Sequence, residues 1–240
     1  MTVEDPKIIE AKIISLMLNA PEQIAFNEIA EHIEESIVNR AAEASRYLII
    51  CVRAFAKLMQ DPRFQAKLPD FFECHYPNET VLHLTKHYFT DYDASRKGIP
   101  ETEAQNAQTL ISQPLGVQKA MARMHLRSHH EALLYSPWPQ VIEILCSNPA
   151  VQERDIMFMA SRRPTMNELL EPILVSQWTS RSEIRFALAA NPALKVSHAY
   201  RCALTLPMTK LPVLNEMPEL HPVLRSLALY IMNASKEALN

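Results

Sequence analysis

The chain has 240 residues, 48% of them hydrophobic, and a formal net charge of −3; that length and apolar content can bury a core without disulfides or metals. Only two glycines, Gly98 and Gly116, accompany seventeen prolines. The left-handed positions of tight hairpins and phosphate-cradling loops are therefore nearly missing, which argues against a β-rich fold and against glycine-rich nucleotide loops.

Residues 6–19 are predicted as a first helix, because Ile8, Ile9, Ala11, Ile13, Leu16 and Met17 stand three and four apart behind Pro6. Asn19-Ala20-Pro21 breaks it. From Glu22 to Gln60 neither proline nor glycine interrupts the chain. Ile24, Ile29, Ile33 and Ile37 form a stripe ahead of the solidly apolar run 47–52, which predicts one long helix or two joined near Asn39, the second part buried on most sides. Asp61-Pro62 ends it. Shorter helices follow over 63–72 and 80–88, the latter entered through the turn-forming pair Pro77-Asn78. The segment 90–103 is polar, holds Gly98 and Pro100, and lacks periodic apolar residues, as a linker or exposed loop does. It divides an N-terminal helical bundle, 1–89, from a second region, 104–240. Helices are expected beyond it over about 101–112 and 115–134.

Charge follows the same division. Residues 1–107 carry 11 Lys and Arg against 17 Asp and Glu, and residues 108–240 carry 13 against 10. A surplus of three in the second part is too small to imply a nucleic-acid binder.

Internal similarity appears further along. Ser147-Asn148-Pro149-Ala150 recurs as Ala190-Asn191-Pro192-Ala193 at an offset of 43, which also relates Leu145 to Leu188, Ala160 to Ala203 and Pro164 to Pro207. A weaker echo runs over 224–229, paralleling 184–189 at an offset of 40. Proline disfavours α geometry in the residue before it, and asparagine is a good N-cap, so each Asn-Pro is expected to end one helix and cap the next, the period spanning a pair of helices. Thr165-x-x-Glu168 and Ser180-x-x-Glu183 read as capping boxes, and Ser136-Pro137 as a further start. Short helices follow over 137–146, 149–162, 166–177, 181–190 and 192–206, as a stacked solenoid requires.

Ile184-Arg185, Leu188-Ala189 and Asn191-Pro192 resemble the repeat unit of the leucine-rich-repeat variant and HEAT-like group of bacterial helical repeats. In the preceding copy Val141, Leu145 and Asn148-Pro149 fit, with Ile142 in place of the arginine; the last copy keeps Leu224-Arg225 and Leu227-Ala228 without Asn-Pro. The resemblance covers about residues 136–232 and implies a HEAT-like α-solenoid. It implies no activity, since fold does not dictate chemistry.

Cys51, Cys74, Cys146 and Cys202 lack C-x-x-C spacing and lie in or beside apolar segments, as buried thiols of a reducing compartment do. Two acids precede the first lysine in place of the basic start of a secretory signal, and no apolar run is long enough for a membrane span. The expected location is the cytoplasm.

Candidate chemistry rests on histidine and arginine. His83 with His87, and His125 with His129, are spaced i and i+4 on predicted helices, and two such pairs can supply four nitrogens to zinc or, with carboxylates, serve a di-metal site. No Glu-x-x-His or His-Glu-x-x-His accompanies them, so the competing expectation is half-exposed helix-face residues. Arg162, Arg163, Arg181, Arg185 and Arg201 fall near helix ends; aligned by stacking, they would form a basic ridge for phosphate or an acidic partner. The alternative is local use, on helix C-termini or in ion pairs. Trp138, Trp178, Met157, Phe158 and Met159 are expected mostly in the repeat core, any exposed minority forming an adaptable patch. Glu31, Glu34 and Glu35 line a solvated face, and no nucleophile motif or cofactor site is present. The expectation is an all-α protein, an irregular N-terminal bundle followed by a HEAT-like solenoid, that acts as a noncatalytic scaffold for a protein partner. A metal-binding enzyme or sensor using the histidine pairs, and a nucleic-acid binder using the arginine ridge, are the alternatives.

Overall fold

The computed structural model describes residues 5–37, 39–92 and 113–237. Among them are fourteen α-helices and no strand, so the protein is all-α. The expected helix over 101–112 and most of the linker lie outside the described residues.

The N-terminal helices start where proline and a short polar residue coincide. Asp5 caps α1 (Pro6–Asn19) and Asp61 caps α4 (Pro62–Lys67), each accepting from the amide two residues on at 2.9 Å. The proline-free stretch is two helices, α2 (Glu22–Ile37) and α3 (Ala42–Leu58), and Arg40 takes a left-handed φ of 55° where the chain reverses. A 3-10 turn, Leu68–Glu73, follows α4, and Asn78 caps α5 (Glu79–Phe89) by accepting from Thr80 and Val81. Glu34 is not simply solvated: it accepts from Tyr76 Oη at 2.6 Å and Asn78 Nδ2 at 2.9 Å, tying α2 to the start of α5.

Helix α3 is the central post. It packs against α1 and α2 on one side, and Phe55 meets Tyr88 edge-on at 4.8 Å and Phe89 at 5.5 Å. Such rings supply most of the apolar mass of a small bundle. Leu48, Ile50, Cys51, Val52 and Ala54 are buried as well, which demands cover on the other side too. The repeat region provides it.

That region comprises α6 (Leu115–Arg123), α7 (Arg127–Leu133), α8 (Pro139–Ser147), α9 (Glu153–Ser161), α10 (Asn167–Val175), a 3-10 turn at Gln177–Ser180, α11 (Ser182–Ala190), α12 (Val196–Leu204), α13 (Leu211–Glu216) and α14 (Pro222–Glu237). The offset of 43 encloses three α-helices, not the expected pair. α9, α10 and α11 recur as α12, α13 and α14, and α6 to α8 form the first unit. In each unit the third helix lies on the first: α8 on α6, α11 on α9, α14 on α12. Helices α10 and α12 pack on α3, so the two parts of the chain share one continuous core.

The Asn-Pro pairs do not cap the helices that follow them. Asn148 and Asn191 are buried at the C-terminal ends of α8 and α11. Asn148 Nδ2 donates to Ala122 O at 2.8 Å and Met124 O at 3.0 Å; Asn191 Nδ2 donates to Ala160 O at 2.8 Å and Arg162 O at 3.1 Å. Their Oδ1 atoms accept from Ala150 and Ala193 amides. Each asparagine thus fastens the third helix of its unit to the end of the first. This also explains why the expected helix over 115–134 is split at Met124: Asn148, with His130 Nε2 at 2.6 Å from Met124 O, takes the carbonyls there. The capping boxes at Thr165 and Ser180 do not form. Met166 occupies the N-cap of α10, and Ser180 sits inside a 3-10 turn with its hydroxyl on Gln177 O. A box forms instead between Gln152 and Asp155 at α9.

Asn191→Ala removes two buried carbonyl bonds and is expected to destabilise the protein by about 2–3 kcal/mol. Asn191→Asp should be no better, because a carboxylate cannot donate to the two carbonyls it would face. Urea unfolding of both variants checks this; an aspartate that rescues stability would show that the side chain acts only as an acceptor.

Candidate functional site

His83 and His87 share one face of α5 with ring centroids 4.4 Å apart, edge to face. Neither stands free. His87 Nδ1 is hydrogen-bonded to Tyr92 Oη, and the His83 ring lies 6.0 Å from that of Tyr230. Tyr92 in turn meets His221 at 5.7 Å, and Tyr200 closes on His87 at 6.0 Å. The pair is part of an aromatic strip along the seam between α5 and the third repeat unit. Burial, and then the neighbouring His83, hold the His87 imidazole below its usual pKa.

The second pair is not a pair. His125 is exposed in the break after α6 while His129 stands on α7, so the helix split removes the i, i+4 register on which joint ligation depended. Among the described residues no group of three or more His, Cys, Asp or Glu is placed to hold a metal ion. The histidine that the sequence did not single out is His130, fully buried against Met124 O and Asn148. Only its neighbour's i+4 spacing was visible in the sequence.

The arginines form no ridge. Arg201 is fully buried in α12, and its Nε and Nη2 donate to Tyr88 O at 3.1 and 2.7 Å, with the guanidinium carbon 5.0 Å from the Phe55 ring centre and 5.3 Å from that of Tyr88. Arg185, also buried, donates to Thr179 O, Ser180 O and Thr205 O. Arg162 reaches Leu134 O at 2.9 Å; Arg163 reaches Ala190 O at 2.6 Å and Glu219 at 2.9 Å. Arg181 is open to solvent, 3.8 Å from Glu153, and Arg163 is exposed as well although its guanidinium is bonded. Planar forks find the carbonyls at helix ends before they find a ligand. Burial lowers the pKa of Arg162, Arg185 and Arg201, the cost of these positions.

The cysteines are inert as nucleophiles. All four are free and buried, and burial pushes the Cys146 and Cys202 thiols up to about 12. Cys74 Sγ donates to Asp70 O at 3.7 Å, and burial raises its thiol as well.

What the repeats leave outside is apolar and periodic. Met124, Met166 and Met208 are 45%, 54% and 40% exposed. They follow one another at intervals of 42 residues, each in the turn between the first and second helix of a unit. Leu126 stands exposed beside the first; Tyr135 and Trp138 are exposed in the turn between α7 and α8, the Tyr135 ring 5.1 Å from that of Phe158. Trp138 belongs to the exposed minority; the turn at Ser136-Pro137 carries it outward. Trp178 is half-buried with Nε1 on Cys146 O, and Met159 is buried as expected. Charges near the row pair among themselves: Arg127 with Asp155 and Glu131, Arg163 with Glu219, Lys210 with Glu183.

The fold and this surface define an all-α protein of stacked three-helix units with an apolar residue repeated in equivalent turns. Set against known protein families, curated proteins and solved structures, the chain matches none. Among the described residues no helix is long and apolar enough to cross a membrane.

His198, buried in α12 beside the seam, is held to a pKa of about 3 by burial and by Arg201 and Lys195, against an ordinary 6.5. As pH falls the unfolded chain takes up this proton first. The stabilisation from the neutral imidazole is therefore complete above about 6.5 and drains away toward about 3. Urea midpoints measured across that range should fall in the wild type and fall less in His198→Leu; identical slopes would show that other groups carry the acid sensitivity.

Proposed function

We propose that this chain is a noncatalytic scaffold that binds another protein along the edge marked by Met124, Met166 and Met208. The observation that carries the proposal is their recurrence: one exposed methionine in the same turn of each stacked unit. The interval of 42 is one short of the 43-residue offset, yet all three fall in the equivalent turn, where unrelated surface residues have no reason to recur. A methionine side chain is flexible and polarisable and adapts to varied apolar partners, and Tyr135 and Trp138 add the aromatic anchors that interfaces favour. The neutralised charges near the row suit a partner of mixed, weakly charged surface. Three helices within a period of 43 match the armadillo variety of repeat better than the two-helix HEAT unit, and both varieties serve mainly as extended binding surfaces. The buried thiols and the arginines bonded to helix-end carbonyls support a role without chemistry.

The test is Met124→Asp/Met166→Asp/Met208→Asp. All three positions are exposed, so the variant should keep its circular dichroism and urea midpoint. At about 1 kcal/mol per truncated contact, partner binding should weaken by roughly a hundredfold. Quantitative affinity capture with crosslinking should find proteins enriched by the wild type and lost by the variant; identical captured sets would overturn the proposal.

A further inference from the structure

Two clefts meet at the C-terminal end of α8. One, of about 590 Å³, opens between the N-terminal bundle and the repeats; Lys7 and Glu10 of α1 and Arg53 and Lys57 of α3 face Ser176 and Gln177. The other, of about 550 Å³, lies between α6 and α8 and carries Lys119, Arg123, His125, Gln140 and Glu143. Ser147 lines both, so the two clefts adjoin there as the halves of a track.

The track is cationic by construction. Glu10, 5% exposed, accepts from Arg53 Nε at 3.0 Å, from Arg53 Nη2, and from Lys57 Nζ at 2.6 Å. Burial opposes ionisation of Glu10, but the hydrogen bonds from Lys57 and Arg53 prevail and hold its carboxyl below the usual range. One carboxylate shared by two cations leaves a net positive charge and fixes the guanidinium in place. Lys7, Lys119 and Arg123 enter no ion pair among the described residues. Across both clefts five Lys and Arg face two carboxylates, Glu10 and Glu143. The helix ends at Arg123, Ser147 and Val175 each add about half a negative charge, which leaves the track positive.

We infer that this track binds an extended acidic peptide segment. Only an elongated polyanion engages the cations of both clefts together. Apart from the His125 imidazole no aromatic ring lines either cleft, so the row of stacking platforms used for single-stranded nucleic acid is missing. Glu10 and Glu143 repel a dense row of phosphates but leave room for spaced carboxylates. Between the cations, Gln140 and Gln177 offer partners for a peptide backbone, and Ile14 and Ile144 an apolar floor for intervening side chains. The inference rests on the scaffold proposal for the kind of occupant, a protein, but uses a different surface.

Fluorescence anisotropy of the full chain with a fluorescein-labelled alternating Glu–Ala peptide tests it. Binding is expected at low salt, weakening as salt screens the charges, with no binding of the matching Gln–Ala peptide. Lys7→Glu/Lys119→Glu/Arg123→Glu should weaken it at least about tenfold; Lys7→Gln/Lys119→Gln/Arg123→Gln gives the same comparison if charge reversal disturbs folding. Absence of peptide binding, equal binding by these variants, or tighter binding of an oligothymidylate of equal charge would each overturn the inference. The triple methionine variant should bind the peptide like wild type. Failure of the peptide assay with methionine-dependent capture intact removes only the track, and the reverse removes only the methionine edge.

Discussion

Helix C-termini leave carbonyls without partners, and this chain has almost no glycine with which to cap them. Elsewhere a glycine in the left-handed conformation turns the backbone so that its own amides close the helix. Here the one left-handed residue among those described is Arg40, between α2 and α3. The carbonyls are satisfied from a distance instead, by Asn148, Asn191, Arg162, Arg163, Arg185 and Arg201. A cap made by a side chain from another element is also a tertiary contact. The need to finish each helix thereby builds the stack.

Arg201 is the deepest case. It leaves α12, enters the aromatic cluster of the N-terminal bundle, and takes the Tyr88 carbonyl near the end of α5. A charged group buried without a carboxylate bond is costly, and here the cost is offset by two donated hydrogen bonds and by the faces of Phe55 and Tyr88. The same side chain depresses His198 beside it. The join between bundle and repeats is thus polar at its centre and apolar around it, through α3 against α10 and α12.

With Arg162, Arg185, Arg201 and the two asparagines committed to carbonyls, the surface is left to other residues. The methionine row belongs to the turns between helices, which the repeat brings round once per unit. The cationic track belongs to the join, where α1 and α3 meet the ends of α8 and α10. Both arise from how units stack, and neither needs a residue strained or poised for chemistry.

Helical class, the positions of most helices and the 43-residue period are set by the sequence alone, because they follow from apolar spacing, from proline's missing amide and from simple recurrence. The methionine interval of 42 was also legible there, but nothing in the sequence said that these turns face solvent. Other features depend on partners far away along the chain. Whether Asn148 caps the next helix or ties down a previous one depends on where Ala122 and Met124 lie, and whether Arg201 joins a basic ridge or the core depends on Tyr88. His125 and His129 have the spacing of a ligand pair only if the helix is unbroken, and the break at Met124 is held by a side chain from another helix. Local geometry is written in neighbouring residues; the use made of a polar side chain is decided by whichever unpaired group the tertiary structure brings within about 3 Å of it.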